Sequence, residues 1–89
     1  MNIAIEVRRF RWIQPKSFMP SARADAFRRA AMKLGFRRAR QDGSHERWIH
    51  ADGRATTIPI HPSREIGGSL FYRIIKQLGV TQQEFERLR

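Results

Sequence analysis

Residues 36–60 read FRRARQDGSHERWIHADGRATTIPI, and two turn signals break them into three runs. Asp42-Gly43 and Asp52-Gly53 are pairs that tight turns favour, because aspartate bonds its own backbone and glycine accepts a positive φ. The runs left between them, 36–41, 45–50 and 55–60, are strand-length. The second carries Trp48 and Ile49. The third carries β-branched Thr56, Thr57, Ile58 and Ile60. Pro59 has no N–H for a ladder, so the third run belongs at a sheet edge or a strand end. Strands joined by such short turns pair antiparallel, which predicts a three-stranded meander.

Helical patterns flank the meander. Phe27, Ala30, Ala31 and Leu34 fall at i, i+3, i+4 and i+7 in a helix predicted over Ser21–Leu34. Ser21 is the expected cap, Asp25 suits the first turn, and Gly35 is the stop. Residues 61–68 read as a loop. Ser69 is the expected cap of a second helix running to about Leu78, with Leu70, Phe71, Ile74, Ile75 and Leu78 as its apolar set and Gly79 as its end. Thr81-Gln82-Gln83-Glu84 has capping-box spacing and opens a short third helix. Upstream, Ile3, Ile5 and Val7 alternate as in a short strand, which Pro15 would end. The class is α+β, in the order α-β-β-β-α. A three-stranded antiparallel sheet carries both main helices on one face, with a short C-terminal helix. Double-stranded-RNA-binding domains share that order, though order alone does not assign a function.

The chain has 89 residues, enough for one small domain, and a formal charge of +10 with a sequence pI near 11.7. Arginine supplies 15 of the 18 basic residues. A guanidinium is always charged and matches phosphate with two parallel hydrogen bonds, so the composition favours a polyanion, most simply nucleic acid. A solvated basic surface or an acidic protein partner are the plainer readings. A hydrophobic fraction of 40% is too high for a disordered chain. No cysteine is present, which excludes disulfides, thiolate zinc sites and a cysteine nucleophile. No apolar run approaches the roughly 20 residues that cross a bilayer, and no early apolar segment reads as a secretory signal, so the expected location is cytoplasmic. HExxH, P-loop and GxGxxG motifs are absent, and no cofactor or metal is expected.

Chemistry then falls to three histidines, His45, His50 and His61. His45 follows Gly43-Ser44 at the exit of a tight turn, where its ring can stand at the sheet rim. Arg37, Arg38, Arg40 and Arg47 are near in sequence. An imidazole there can accept a proton from a ribose 2′-OH while guanidinium groups hold the phosphate. On the residues alone, a His45 that caps the turn or packs on the sheet is the favoured reading over a catalytic one. His61 follows Pro59-Ile60 and either meets His45 across the sheet or caps the loop. His50 precedes a turn at the surface. Trp48 fits a core position better than a base-stacking one. A Ser44-His45-Asp52 triad can be drawn, but nothing in the spacing fixes its geometry.

Several ordered motifs together resemble the HicA (YcfA-like) toxin family. They are Leu34-Gly35-Phe36, Arg40-Gln41-Asp42-Gly43-Ser44-His45, Thr57-Ile58-Pro59-Ile60-His61, Ile66-Gly67-Gly68-Ser69-Leu70 and Ile74-Ile75-Lys76-Gln77-Leu78-Gly79. The resemblance covers about residues 19–89. It implies a double-stranded-RNA-binding-like fold and a messenger-RNA interferase of a type II toxin–antitoxin system. It also implies a catalytic histidine at His45, with Gly43 and Ser44 shaping its turn, and a HicB-type antitoxin that covers the site. Arg37, Arg38, Arg40 and Arg47 are the expected RNA-binding residues, and His61 is the candidate second proton-transfer group. A non-catalytic RNA-binding module of the same fold is the alternative. Family members usually begin close to the first helix, often with Met-Pro, here Met19-Pro20. Residues 1–18 are then an extension ahead of the domain, or reflect a start assigned too early.

Overall fold

A computed structural model describes residues 20–89. The expected N-terminal extension, and the strand expected around Ile3–Val7, lie outside the described residues. Those described residues form β1 (Ser21–Ala22), α1 (Ala24–Lys33), β2 (Arg37–Asp42), β3 (His45–Ile49), β4 (Ala55–Pro59), β5 (Ile66–Gly67), α2 (Gly68–Leu78) and α3 (Gln82–Leu88). The α-β-β-β-α frame is the one the turn signals and periodicities predict, with a short helix added at the end.

The meander is antiparallel in the order β2-β3-β4, and Pro59 lies on an edge strand where its missing N–H costs no ladder bond. Strand alternation gives the sheet two different faces. Glu46 and Trp48 of β3 and Thr56 and Ile58 of β4 are buried on one face, against which α1 and α2 pack. There Phe27 of α1, Phe71 of α2 and Phe85 of α3 meet with ring centroids 4.9 to 5.7 Å apart. All three rings are fully buried, so α3 closes the core although it is only two turns long. Its capping box forms as the sequence predicts, Thr81 accepting from the Glu84 N–H and Glu84 from the Thr81 N–H.

Three sequence expectations need correction. Residues 61–68 are not wholly a loop, because Ile66 and Gly67 pair with Ala22 and Ser21 in a two-stranded antiparallel ribbon. That pairing draws Ser21 out of the first helix, which starts at Ala24 with Arg23 at its N-cap. The Ser21 hydroxyl does not cap; it donates to the Glu65 carboxylate at 2.6 Å. Ser69 does not cap α2 either, since Gly67 occupies that position and makes no side-chain bond. Two-residue strands carry no readable alternation, which is why local pattern reading passes over them.

The loop between β3 and β4 is clasped to the end of α2. Asp52 accepts from the Arg54 backbone N–H at 3.0 Å and from its Nε at 2.8 Å. Arg54 also donates to the Leu78 carbonyl and lies over the Phe36 ring. A guanidinium suits the carbonyl-rich end of a helix. Gly79 is required there: its φ is +82°, and a Cβ would approach Arg54 Nη1 to 2.7 Å.

Glu46 is a fully buried carboxylate on the helix-covered face. Arg28 donates to it from Nε at 2.9 Å and again from Nη2. Arg38 Nη1 and the Trp48 indole N–H donate at 3.1 Å each. These hydrogen bonds, that from Arg28 first, outweigh burial and hold the Glu46 carboxyl down at a pKa of about 2. A carboxylate with a depressed folded-state pKa stabilises the fold above its unfolded value, near 4.5, and that contribution disappears as pH falls towards 2. Glu46→Gln should therefore cost about 2–4 kcal/mol at pH 7 by urea denaturation, at or below the usual loss for a broken buried pair because Arg28 keeps part of its side chain in water. The fall in wild-type stability between pH 5 and pH 3 should be smaller in the variant.

Candidate functional site

The first hairpin presents His45. Asp42 pairs with His45, leaving Gly43-Ser44 as a two-residue loop. Gly43 has φ +58° while Ser44 has an ordinary negative φ, the pattern of a II′ turn, which needs glycine at its first loop position. The Ser44 carbonyl accepts from the Ile60 N–H at 2.6 Å, tying the turn to the end of β4. His45 is thus the first residue of the central strand, set between Asp42 on one neighbour and Pro59 on the other. Because Glu46 and Trp48 point to the helices, His45 and Arg47 point to the opposite face, the open one among the described residues.

On that face a cavity of about 300 Å³ opens where α2 runs beside edge strand β4. His45, Arg47, Thr57 and Pro59 line it from the sheet, and Leu70, Arg73 and Gln77 from the helix. Arg47 Nη1 donates to the Thr57 hydroxyl at 3.0 Å, which fixes the guanidinium. Among the described residues Arg47 and Arg73 have no carboxylate partner, nor do Arg29, Arg37, Arg64 and Arg87, whereas Arg23, Arg28, Arg38, Arg40, Arg54 and Arg89 each pair with at least one. Two uncompensated guanidinium groups beside an imidazole make a pocket suited to an anion.

The four arginines grouped by their nearness in sequence are divided by the sheet. Arg40 is in register with Arg47 on the open face, and its Nε donates to Asp42 at 3.2 Å. Arg38 is in register with Trp48 and is committed to Glu46. Arg37 is opposite Ile49, four residues along β3 from His45 and so roughly 13 Å away. Arg37 and Arg38 border a separate groove of about 640 Å³ between α1 and β2, with Phe36 and Trp48 in its wall. His61 is exposed on the loop after β4, does not line the His45 cavity, and offers its carbonyl to the Arg64 N–H. His50 is half-buried in a structural role: its Nδ1 accepts from the Asp52 N–H and its Nε2 faces the Leu34 carbonyl. Trp48 is buried in the core, as expected. No group of three His, Asp or Glu side chains converges as a metal site among the described residues. No helix among them is long and apolar enough to cross a membrane.

Arg73 and Gln77 are the pocket residues that sequence reading passed over. Leu70, Arg73 and Gln77 lie at i, i+3 and i+7, a stripe beside the apolar one of α2, and that spacing was the available signal.

The frame and the pocket together define a small α+β domain of the double-stranded-RNA-binding type with a basic site at the end of its central strand. Comparison with known protein families matches residues 24–80 to the HicA toxin of bacterial toxin–antitoxin systems. The match runs from the first residue of α1 past the end of α2, well over half of the chain, and the protein belongs to the HicA toxin family. No match was found among curated proteins.

The geometry of the turn gives a direct test. Gly43→Ala places a Cβ where the surroundings are open but the backbone is left-handed, so it should lower stability by at least about 1 kcal/mol in urea denaturation. Ser44→Ala, at an ordinary φ and bonded through its carbonyl, should change stability by less than about 0.5 kcal/mol.

Proposed function

We propose that this chain is the toxin of a type II toxin–antitoxin pair, a metal-independent endoribonuclease that cleaves messenger RNA and thereby inhibits translation and growth. The observation that carries the reading is the shared cavity of His45, Arg47 and Arg73 on the open sheet face, with both arginines free of carboxylates among the described residues. RNA supplies its own nucleophile, so an imidazole and a positively charged cradle suffice for the chemistry.

In the proposed reaction the His45 imidazole takes the proton of a ribose 2′-OH. The 2′-oxygen bonds to the adjacent phosphorus as the bond from phosphorus to the 5′-oxygen breaks. The leaving 5′-oxygen takes a proton from the imidazolium or from water, and a 2′,3′-cyclic phosphate remains. Arg47 and Arg73 hold the non-bridging oxygens, where charge builds in the transition state. Arg40 extends the basic surface along the same face. Gly43 and Ser44 act through the turn that positions the ring. His61 is outside the cavity, so imidazolium or water is the simpler proton donor.

A HicB-type antitoxin is the proposed protein partner. An acidic surface laid on the open face would neutralise Arg47 and Arg73 and exclude RNA in one step, since both have uncommitted charge.

The test is incubation of the full chain with a defined messenger RNA beside His45→Ala, with the 3′ ends characterised. Wild-type cleavage should leave cyclic phosphate and persist in EDTA, and His45→Ala should be slower by about 10²–10⁴-fold. Arg73→Ala should lower kcat/KM by about tenfold or more without moving the urea midpoint, because Arg73 is exposed and has no partner to lose among the described residues. Intact RNA bound equally by wild type and His45→Ala would instead support a non-catalytic RNA-binding module.

A further inference from the structure

The helix side of the His45 cavity contains a polar group whose orientation is set from below. Thr56 of β4 is fully buried, and its hydroxyl donates to Gln77 Oε1 at 2.8 Å. That bond occupies the carbonyl end of the Gln77 carboxamide. The Nε2 end has no partner among the described residues, and Gln77 borders the cavity. Leu70 and Pro59 give the same cavity apolar walls. Apolar walls with one or two fixed polar groups are the usual make-up of a site that orients a planar ligand. At about 300 Å³ the cavity is at the small end of such sites and suits one nucleotide rather than a duplex.

We propose that Gln77 reads the base of a single RNA nucleotide held in this cavity at its exocyclic C4 or C6 group, and that it favours the carbonyl of uracil or guanine there over the amino group of cytosine or adenine. The inference rests on the reading that the cavity takes RNA. Arg47 and Arg73 hold phosphate and cannot distinguish bases, since every nucleotide carries the same phosphate. Gln77 can distinguish them. The Thr56 hydroxyl takes one lone pair of its oxygen and holds that end towards β4, so the group left free for a base is the NH₂ donor rather than the paired donor and acceptor that an unheld glutamine offers adenine. It matches uracil O4 or guanine O6 and faces the amino groups of cytosine and adenine donor to donor.

The experiment measures fluorescence anisotropy of 2′-O-methyl decamers of uridine, cytidine and adenosine, which lack the attacking hydroxyl and stay intact with the wild-type full chain. Wild type should bind the uridine decamer about fivefold more tightly than the cytidine decamer, the worth of one partly exposed hydrogen bond. Gln77→Met, neutral and of similar length, should bring that ratio to about one. Gln77→Glu weakens all binding by charge, so the ratio is the readout. A carboxylate oxygen in place of the NH₂ accepts from cytosine N4, and the preference should reverse. A merely structural role for Gln77 would not reverse it. Equal binding of all decamers by wild type, or a uridine preference that survives both substitutions, would overturn the proposal. A Gln77-dependent preference without cleavage of natural RNA would sustain the base-reading role and remove the ribonuclease one. Cleavage without that preference would do the opposite, and no binding of any decamer would remove the base-reading role.

Discussion

The Glu46 carboxylate is the constraint on which the rest of the arrangement depends. A buried charge must have its hydrogen bonds supplied by the protein, and Glu46 receives them from Arg28 on α1, Arg38 on β2 and the indole of Trp48. This ties the first helix to the two strands of the first hairpin. It also sets which way β3 faces. With Glu46 and Trp48 inward, His45 and Arg47 must be outward, and a slip of one residue would exchange the two sets. The site is thus oriented by a residue that contributes no atom to it.

The arginines do two kinds of work. Arg28, Arg38 and Arg54 are structural, each neutralised by a carboxylate and bonded across elements. Arg47 and Arg73 have no carboxylate partner among the described residues, as Arg29, Arg37, Arg64 and Arg87 have none elsewhere; what singles the two out is the cavity they share with His45. Net charge explains attraction to a polyanion; the grouping of unpaired guanidinium groups with an imidazole in one cavity is what gives it a place to sit.

Much of the frame was legible because it rests on local chemistry. Asp42-Gly43 marked the turn, Pro59 marked the edge strand, and Phe27, Ala30 and Ala31 marked the buried face of α1. Thr81 and Glu84 marked the start of α3. The position of His45 at the start of the central strand was legible from its place after Gly43-Ser44. The β1–β5 ribbon was not, because Ser21 and Gly67 are 46 positions apart and each strand has two residues. Ser21 and Ser69 were read as caps because serine often caps helices; in the fold one is bonded to Glu65 and the other lies inside α2.

The sequence by itself determined the order of the elements, the basic character of the chain and the turn that presents His45. Each follows from residues within a few positions of one another. The tertiary structure decided which arginines remain available, that Glu46 is buried, and that Arg73 and Gln77 of the second helix join His45 and Arg47 of the central strand. Those outcomes depend on which faces of separate elements come together. Strand alternation and helix periodicity restrict the faces, but only packing of α2 along β4 brings the two halves of the pocket within reach of one ligand.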